Sequence, residues 1–186
     1  MRTESVERAM TGDRTAFSEL VDLEGDSCFA IAVGILRDVE RAEDAVQQTF
    51  LLAWRDLRRL RDPDRFQAWL RRILVRACYE EARRHRQWSS HTRVLPADGP
   101  NVPVQRDQTI GIAERDALEQ AFTRLSPEHR AVVVLHHQVG LTLPEVAVVV
   151  GAPVGTVKSR LHYATTRLRA AILAAEAVQR HEELPA

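Results

Sequence analysis

The residues with the most specific side-chain chemistry stand in the string Pro153 to Leu161, which reads PVGTVKSRL. As a helix, this string turns Val154, Val157 and Leu161 to one face, which should pack inward, and leaves polar side chains on the other. Gly155 and Thr156 fall in the first turn, where free N–H groups make a seat for a phosphate. Hydroxyl, imidazole and cationic side chains reach base edges and phosphates in a nucleic-acid groove. The predicted contacts on this surface are Gly155, Thr156, Lys158, Ser159, Arg160, His162, Tyr163 and Arg167.

A turn and a shorter helix precede this string and would position it. Thr142 is the predicted cap of a helix that reaches Val150, Gly151 stops it, and a new helix opens near Val154. Two helices joined by a tight glycine turn are typical of a helix-turn-helix. No acidic residue occurs between positions 146 and 175, so the second helix is locally basic. An ordinary solvated helix face is the alternative, and these features together disfavour it.

The charges are segregated along the chain, although the formal net charge is zero. Residues 1–57 hold six arginines and twelve acidic residues, a net charge of −6. Residues 58–93 hold eleven arginines and four acidic residues, a net charge of +7. An acidic segment followed by an arginine-rich one indicates two different partners, one of them a polyanion.

Two amphipathic helices are predicted in the acidic segment. The first runs from Asp13, its N-cap, to about Leu36, and Gly25 is a candidate break within it. The second runs from Val39 to Leu57, where apolar residues recur at spacings of three and four and form one buried stripe. Its outward-facing polar residues include Asp44, Gln47 and Gln48.

A third long helix carries most of the arginines. Pro63 ends the preceding connection, and Asp64 is the predicted cap of this helix. Trp69 lies among arginines but falls on the apolar face, so it is interpreted as a core residue. The other residues of that face are Phe66, Leu70, Ile73, Leu74 and Ala77.

A linker is predicted at residues 89–110, because that stretch loses its periodicity and collects three prolines and a glycine among polar residues. Beyond it, residues 113–124 are predicted to form a helix. Ser126 followed by Pro127 is a helix start with a capping hydroxyl and a proline at the first helical position. A domain boundary is therefore placed in the linker.

The composition excludes several classes of protein. Of 186 residues, 45% are hydrophobic and 28% are charged, and eight glycines with eight prolines favour helices over a many-turned β architecture. The longest apolar stretch, residues 146–157, is too short to cross a bilayer, and the N-terminus lacks the apolar core of a secretory signal. A cytoplasmic protein without membrane insertion is expected. Cys28 and Cys78 are too few for a disulfide framework and are interpreted as buried thiols.

Three motifs together resemble the extracytoplasmic-function (ECF) sigma factors of the sigma-70 family, group 4. The string at 153–161 is similar to that family's recognition helix, and residues 44–50, DAVQQTF, resemble its helix for binding core polymerase. Residues 66–73, FQAWLRRI, resemble the start of its promoter-melting helix. LuxR-type regulators share only the helix-turn-helix, so the order of the three motifs separates the two families.

The resemblance implies an all-α fold of two small helical domains. A sigma-2 domain would span residues 1–88, a flexible linker 89–110 and a sigma-4 domain 111–186. It implies binding to core RNA polymerase and to promoter DNA, and inhibition by an anti-sigma factor. The implied polymerase contacts are Asp44, Gln47, Gln48 and Phe50.

The resemblance also implies contacts to the minus-10 element, where a flipped base is captured and Leu60 occupies a site usual for an apolar wedge. Arg76 stands where the family often has Asn, and Tyr163 replaces a position that is frequently basic. The implied contacts are Leu60, Arg61, Arg65, Arg72, Arg76, Arg83 and Arg84, while the surface at 155–167 would read the minus-35 element.

Two other classes remain as alternatives. A stand-alone helix-turn-helix regulator would use the same recognition helix without polymerase. An enzyme is the weakest reading, because His136 and His137 diverge by about 100° on a helix and no third ligand is spaced to join them. No catalytic residue, metal or cofactor is predicted.

Overall fold

The computed structural model describes residues 2–91 and 112–182, and all regular structure in these ranges is helical. This confirms the predicted all-α class. We call residues 2–91 the N-terminal half and residues 112–182 the C-terminal half. The helices are α1 (Arg2–Met10), α2 (Arg14–Leu36), α3 (Val39–Asp56), α4 (Phe66–His91), α5 (Ile112–Thr123), α6 (Pro127–Val133), α7 (Leu143–Val150) and α8 (Val154–Glu182).

Helix α2 begins as predicted, because the Asp13 carboxylate accepts the N–H groups of Thr15 and Ala16 at 2.9 and 3.1 Å. The predicted break at Gly25 is wrong, since α2 continues through it to Leu36. A glycine inside a helix costs about 1 kcal/mol, which the burial of several α2 side chains outweighs. The helix ends where Arg37 adopts a left-handed conformation at φ 57°.

Two short 3-10 turns, Leu57–Arg59 and Pro63–Arg65, join α3 to α4. The predicted cap Asp64 lies inside the second turn, and the capping carboxylate is Asp62, which accepts the Asp64 N–H at 3.0 Å. Trp69 packs against the core beside Phe66, with ring centroids 6.0 Å apart, as predicted. Asp64 therefore does not cap α4, because it lies within the turn that precedes this helix.

The core of the N-terminal half lies between α1, α2, α3 and α4. Cys28 and Cys78 are buried in it as free thiols, and burial raises the pKa of each to about 12. Both are therefore protonated at neutral pH. No helix within residues 2–91 or 112–182 is long and apolar enough to cross a bilayer. The largest fully buried side chains of this half are Leu20, Ile31, Ile35, Leu57, Phe66, Leu70 and Leu74.

The C-terminal half follows the predicted helix boundaries closely. Helix α6 begins at Pro127 after Ser126 and passes into a π-helical turn at Val134–Gln138. Thr142 and Glu145 form a capping box at the start of α7, because the Glu145 carboxylate accepts the Thr142 N–H at 2.8 Å. Local capping chemistry therefore shapes this half.

The two halves pack against each other in one continuous core. Helices α2 and α4 contact α6 and α7, and Gly34 lies so close to Val134 that a Cβ at position 34 would stand 2.8 Å from a Val134 methyl group. Arg37 forms an ion pair with Glu119 across the same boundary. Of the predicted linker, residues 89–91 continue α4, and 92–110 lie outside the described residues.

Candidate nucleic-acid and partner surfaces

Helices α7 and α8 form the predicted helix-turn-helix. Gly151 ends α7 in a left-handed conformation at φ 67°, and the N–H of Ala152 donates to the Ala147 carbonyl at 3.1 Å. Val157 and Ala164 are fully buried, which fixes the rotation of α8 about its axis. The prediction that Val154 packs inward is wrong, because it is 37% exposed at the first position of α8, before the helix reaches the core.

The outward face of α8 presents most of the predicted contacts to solvent. Ser159 Oγ donates to the Thr156 carbonyl at 2.9 Å, which holds the hydroxyl at the first turn of α8. Gly155 is exposed, and apart from its chain neighbours and the α8 backbone no atom lies within 4 Å of the place where its Cβ would be, so a phosphate could approach this turn closely. Thr156 and Arg160 are half-buried. The exposed members are Gly155, Lys158, Ser159, His162, Tyr163 and Arg167.

Tyr163 is held by two neighbours. The His129 ring of α6 lies 4.7 Å from the Tyr163 ring, centroid to centroid, and the Arg167 guanidinium lies 5.3 Å from it. Sequence reasoning predicted Tyr163 and Arg167 but missed His129. The sequence could have identified His129, because it lies three residues after Ser126 at the helix start. This spacing places the imidazole on the first turn of α6.

The arginines of α4 form a second cationic surface. Arg72, Arg76 and Arg83 are exposed and recur at spacings of four and seven, so they lie on one face of the helix. Arg84 is exposed beside them and pairs with Glu81 at 2.8 Å. Cations on one face of a helix suit the regularly spaced phosphates of a nucleic acid.

The segment before α4 divides into exposed arginines and one buried residue. Arg61 and Arg65 are exposed, and Arg65 pairs with Asp62 at 3.2 Å. The family resemblance implied an apolar wedge at Leu60, but this side chain is only 9% exposed and packs in the core. A leucine buried in this way holds the turn at residues 57–59 in place, and the arginines form the accessible part of the segment.

Helix α3 presents the predicted polar stripe. Asp44, Gln47 and Gln48 are exposed, while Phe50 is half-buried. The side chains opposite this stripe, Ala42, Ala45, Thr49 and Ala53, are buried against the rest of the half. Because these buried residues are small, α3 lies close to its neighbours and its polar face stands clear of them.

An apolar groove of about 450 Å³ adjoins the stripe between α2 and α3. The Phe17 ring lies 4.9 Å from Trp54 and 6.5 Å from Phe50, centroid to centroid. Leu51 and Trp54 are 61% and 37% exposed, and sequence reasoning did not single them out. The sequence could have identified these two residues, because they are apolar and lie outside the buried stripe of α3.

The boundary between the halves contains polar atoms without hydrogen-bond partners among the described residues. These atoms are Tyr79 Oη on α4 and Arg130 Nε on α6. Burial, with Arg37 and Arg41 nearby, lowers the pKa of Arg130 to about 10, and its Nη1 donates to the Thr123 carbonyl at 3.1 Å. A buried polar group left without a partner is destabilising, so these two atoms weaken the packing at this boundary.

Comparisons with known proteins match both halves. The family model for sigma-70 region 2 matches residues 20–88, and the model for sigma-70, region 4, matches residues 115–168. The ECF RNA polymerase sigma factor SigL of Mycobacterium tuberculosis is 31% identical over 167 residues, which cover 88% of this chain and 93% of SigL. SigW of Bacillus subtilis is 25% identical over 173 residues, which cover 88% of this chain and 92% of SigW.

Solved structures show similar folds. CnrH, in complex with the cytosolic domain of CnrY, is 27% identical with a TM-score of 0.64, and the match covers 93% of this chain and 97% of CnrH. The sigma factor RpoE of Bartonella quintana, in complex with the anti-sigma factor NepR, has a TM-score of 0.68 at 23% identity. That match covers 84% of this chain and 96% of RpoE, and it supports the fold.

Proposed function

Since the chain belongs to the ECF sigma factors of the sigma-70 family, we propose that it joins core RNA polymerase through α3 and reads one promoter element with each half. The observation that carries this proposal is the placement of two cationic surfaces, on α4 and α8, and a separate polar stripe on α3 of the same chain. A regulator that acts alone would have no use for the α3 stripe. The protein acts by binding, within the cytoplasm, and not as an enzyme.

The C-terminal half would read the minus-35 element with α8 in the major groove. A helix fits that groove, and the free N–H groups near Gly155 would seat a phosphate beside Lys158 and Ser159. Phosphate contacts fix the position of the helix, whereas contacts to base edges select the sequence. The exposed face of α8 offers both kinds of donor.

The N-terminal half would hold the minus-10 element and help to open it. Extracting a base from the stack costs a few kcal/mol, which contacts to the displaced strand must offset. The exposed arginines from Arg61 to Arg84 can supply such contacts to phosphates. Promoter affinity should therefore fall steeply as the salt concentration rises.

The two halves must separate before both elements are read. Positions minus-35 and minus-10 lie about 25 base pairs apart, which is about 85 Å of duplex at 3.4 Å per base pair. A compact chain of this length has a radius of gyration of about 16 Å and therefore a diameter of only about 40 Å. The unpartnered Tyr79 and Arg130 atoms support a boundary that opens.

An anti-sigma factor is the proposed inhibitor. The solved structures of CnrH and RpoE are each complexes with another protein, which for RpoE is an anti-sigma factor. Here the exposed α3 stripe and its apolar groove are accessible while the halves are together. A protein that covers them in that state would block the binding of polymerase.

The test is run-off transcription with purified core polymerase, with and without the chain, on promoter fragments from the source genome. Specific transcripts should appear only when the chain is present. Asp44→Ala with Gln47→Ala should abolish co-elution with polymerase, and Asp26→Ala, which removes an exposed acid on α2, is the matched control. A footprint by the chain alone, without polymerase binding, would instead establish the regulator.

The two promoter surfaces are separated by a second pair of variants. Lys158→Ala with Ser159→Ala should weaken recognition of the minus-35 element and leave polymerase binding unchanged. Arg124→Ala removes an exposed cation of the same half outside α8 and serves as the control. Loss of polymerase binding together with promoter recognition would contradict the assignment of these functions to separate halves.

A further inference from the structure

A stack of side chains fixes the only tyrosine of the described part of α8. The ring of His129 stands 4.7 Å from the ring of Tyr163 at an interplanar angle of 43°, and Arg167 lies over the same tyrosine at 5.3 Å. Tyr163 is nevertheless 45% exposed. One part of the ring is thus held by protein, and the remainder is open to a ligand.

His129 is itself fixed by the start of α6. Its Nδ1 and Ser126 Oγ are joined by a 2.8 Å hydrogen bond, and its backbone N–H donates to the Ser126 carbonyl at 3.0 Å. Proline at the next position, Pro127, restricts the backbone of that turn further. The imidazole is therefore a rigid support for the side chain that leans on it.

The charge state of His129 is compatible with its surroundings. Burial lowers the pKa of His129, and Arg160 lowers it further, while Glu128 acts in the opposite direction. The ring is consequently neutral at neutral pH. A neutral ring packs against the phenol without repelling Arg160 and Arg167, so the stack and the cationic face of α8 coexist.

We infer that His129 is a positioning residue of the minus-35 surface, which acts by holding Tyr163 in one orientation toward duplex DNA. This inference rests on the proposed function and extends it from α8 to α6. A free tyrosine on an exposed helix face loses rotamer freedom when it binds, and a tyrosine that is already held loses less. Removal of the support should weaken binding about threefold to tenfold.

The experiment uses the full chain bound to core polymerase and a promoter fragment found by run-off transcription. The dissociation constant of this complex with the promoter fragment is compared with that for the same fragment carrying a scrambled minus-35 element. His129→Ala should weaken binding to the promoter fragment about threefold to tenfold and leave binding to the scrambled fragment unchanged. His129→Phe keeps a ring against Tyr163 but loses the hydrogen bond to Ser126, so it should restore part of the binding. His137→Ala, which changes an exposed histidine beyond α6, is the control.

A double mutant separates positioning from a general structural role. In a Tyr163→Ala background, His129→Ala should have no further effect, because nothing remains to be positioned. Equal weakening of both fragments, an unchanged affinity, or the same loss in the Tyr163→Ala background would each overturn the inference. Ser126→Ala releases the imidazole without removing it and provides a second route if His129→Ala folds poorly.

Failure of the proposed function gives a different result. If the wild-type chain supports no transcription with core polymerase, the sigma factor assignment itself fails, whatever the His129 variants do. If wild-type transcription is specific and His129→Ala matches it at every promoter concentration, only the positioning role fails. The two failures are therefore distinguishable in one set of assays.

Discussion

The two halves are stabilised in different ways. The N-terminal half fully buries seven large side chains, among them Phe66 and Leu70, between four helices, whereas in the described C-terminal half Leu135 is the one fully buried side chain of that size and the others are valines such as Val132 and Val146. The C-terminal half instead depends on caps and glycine turns, and its Val134 packs against α2 of the other half. In the proposed function, the N-terminal half is thus the scaffold, and the C-terminal half, which packs against it, reads the minus-35 element.

This difference suits the proposed function. Polymerase binding needs a rigid α3 stripe, which a large core provides. A C-terminal half that must reach an element about 85 Å away along DNA cannot be fused into that core. In the proposed function, the close contact at Gly34 and the Arg37–Glu119 ion pair hold the closed state, and the polar atoms that lack partners among the described residues favour its release.

The largest predicted effect is in the scaffold. Leu70→Ala removes a fully buried side chain and should lower the free energy of unfolding by about 2 to 5 kcal/mol. All three tryptophans, Trp54, Trp69 and Trp88, lie in the N-terminal half, so tryptophan fluorescence in urea reports on this half. Leu51→Ala, at a position 61% exposed, should change the transition by less than about 0.5 kcal/mol. Equal effects of the two variants would contradict the description of the core.

The boundary between the halves is tested at Gly34. Gly34→Ala places a methyl group 2.8 Å from a Val134 methyl and should cost about 1 to 3 kcal/mol, offset in part by the better helix propensity of alanine. Val134→Ala in the same chain should restore space, so the double variant should be more stable than the sum of the single effects predicts. Fluorescence energy transfer between labels on α3 and α8 measures the separation directly. Additive effects would show that the halves do not meet here.

A smaller effect is expected at Arg37, which combines a left-handed backbone with the ion pair to Glu119. The guanidinium also lies 5.6 Å from the Phe122 ring. Arg37→Ala loses the ion pair with Glu119 but keeps the strain of a left-handed backbone at a residue with a Cβ. Arg37→Gly also loses the ion pair, but it relieves this backbone strain. The glycine variant should therefore be about 1 kcal/mol more stable than the alanine variant. The same energy-transfer assay should show a larger separation of the halves in both variants than in wild type. Unchanged transfer would show that Arg37 does not hold the two halves together.

Local signals in the sequence predicted much of the fold. Asp13, Ser126, Thr142 and Gly151 were all identified at helix ends, because capping depends on a few neighbouring residues. The exposure of Asp44 and Lys158 was also predicted, since each lies opposite an apolar stripe. Whether these side chains bind polymerase or DNA stays a prediction, as do the domain boundaries.

Tertiary packing decided the features that sequence reasoning missed. Gly25 does not break α2, because the apolar residues on both sides are buried in one core. Leu60 is buried although its neighbours in sequence are charged, and neither its type nor its spacing distinguishes a wedge from a core residue. The contact between Gly34 and Val134 joins residues about 100 positions apart, and no local periodicity encodes such a contact.

The smallest predicted effect concerns the capping box of the C-terminal half. Thr142→Ala removes the cap of α7 and should lower the stability of this half by about 1 kcal/mol. Circular dichroism reports on the helices of both halves, whereas tryptophan fluorescence follows only the N-terminal half. If the halves are stabilised separately, the variant shifts the unfolding transition measured by circular dichroism and leaves the transition measured by tryptophan fluorescence unchanged. Coincident shifts of both signals would instead show that the whole chain unfolds as one unit.

The capping box also has a predicted pH dependence. Hydrogen bonds from the Thr142 hydroxyl and N–H lower the pKa of Glu145 below its ordinary value of 4.5. Since the folded pKa is the lower one, the stabilisation is fully present above pH 4.5 and is lost as the pH falls through the folded pKa. Glu145→Gln keeps an acceptor for the cap but cannot titrate, so its circular dichroism transition should lose this dependence. The same pH profile in both proteins would assign the acid sensitivity to other carboxylates.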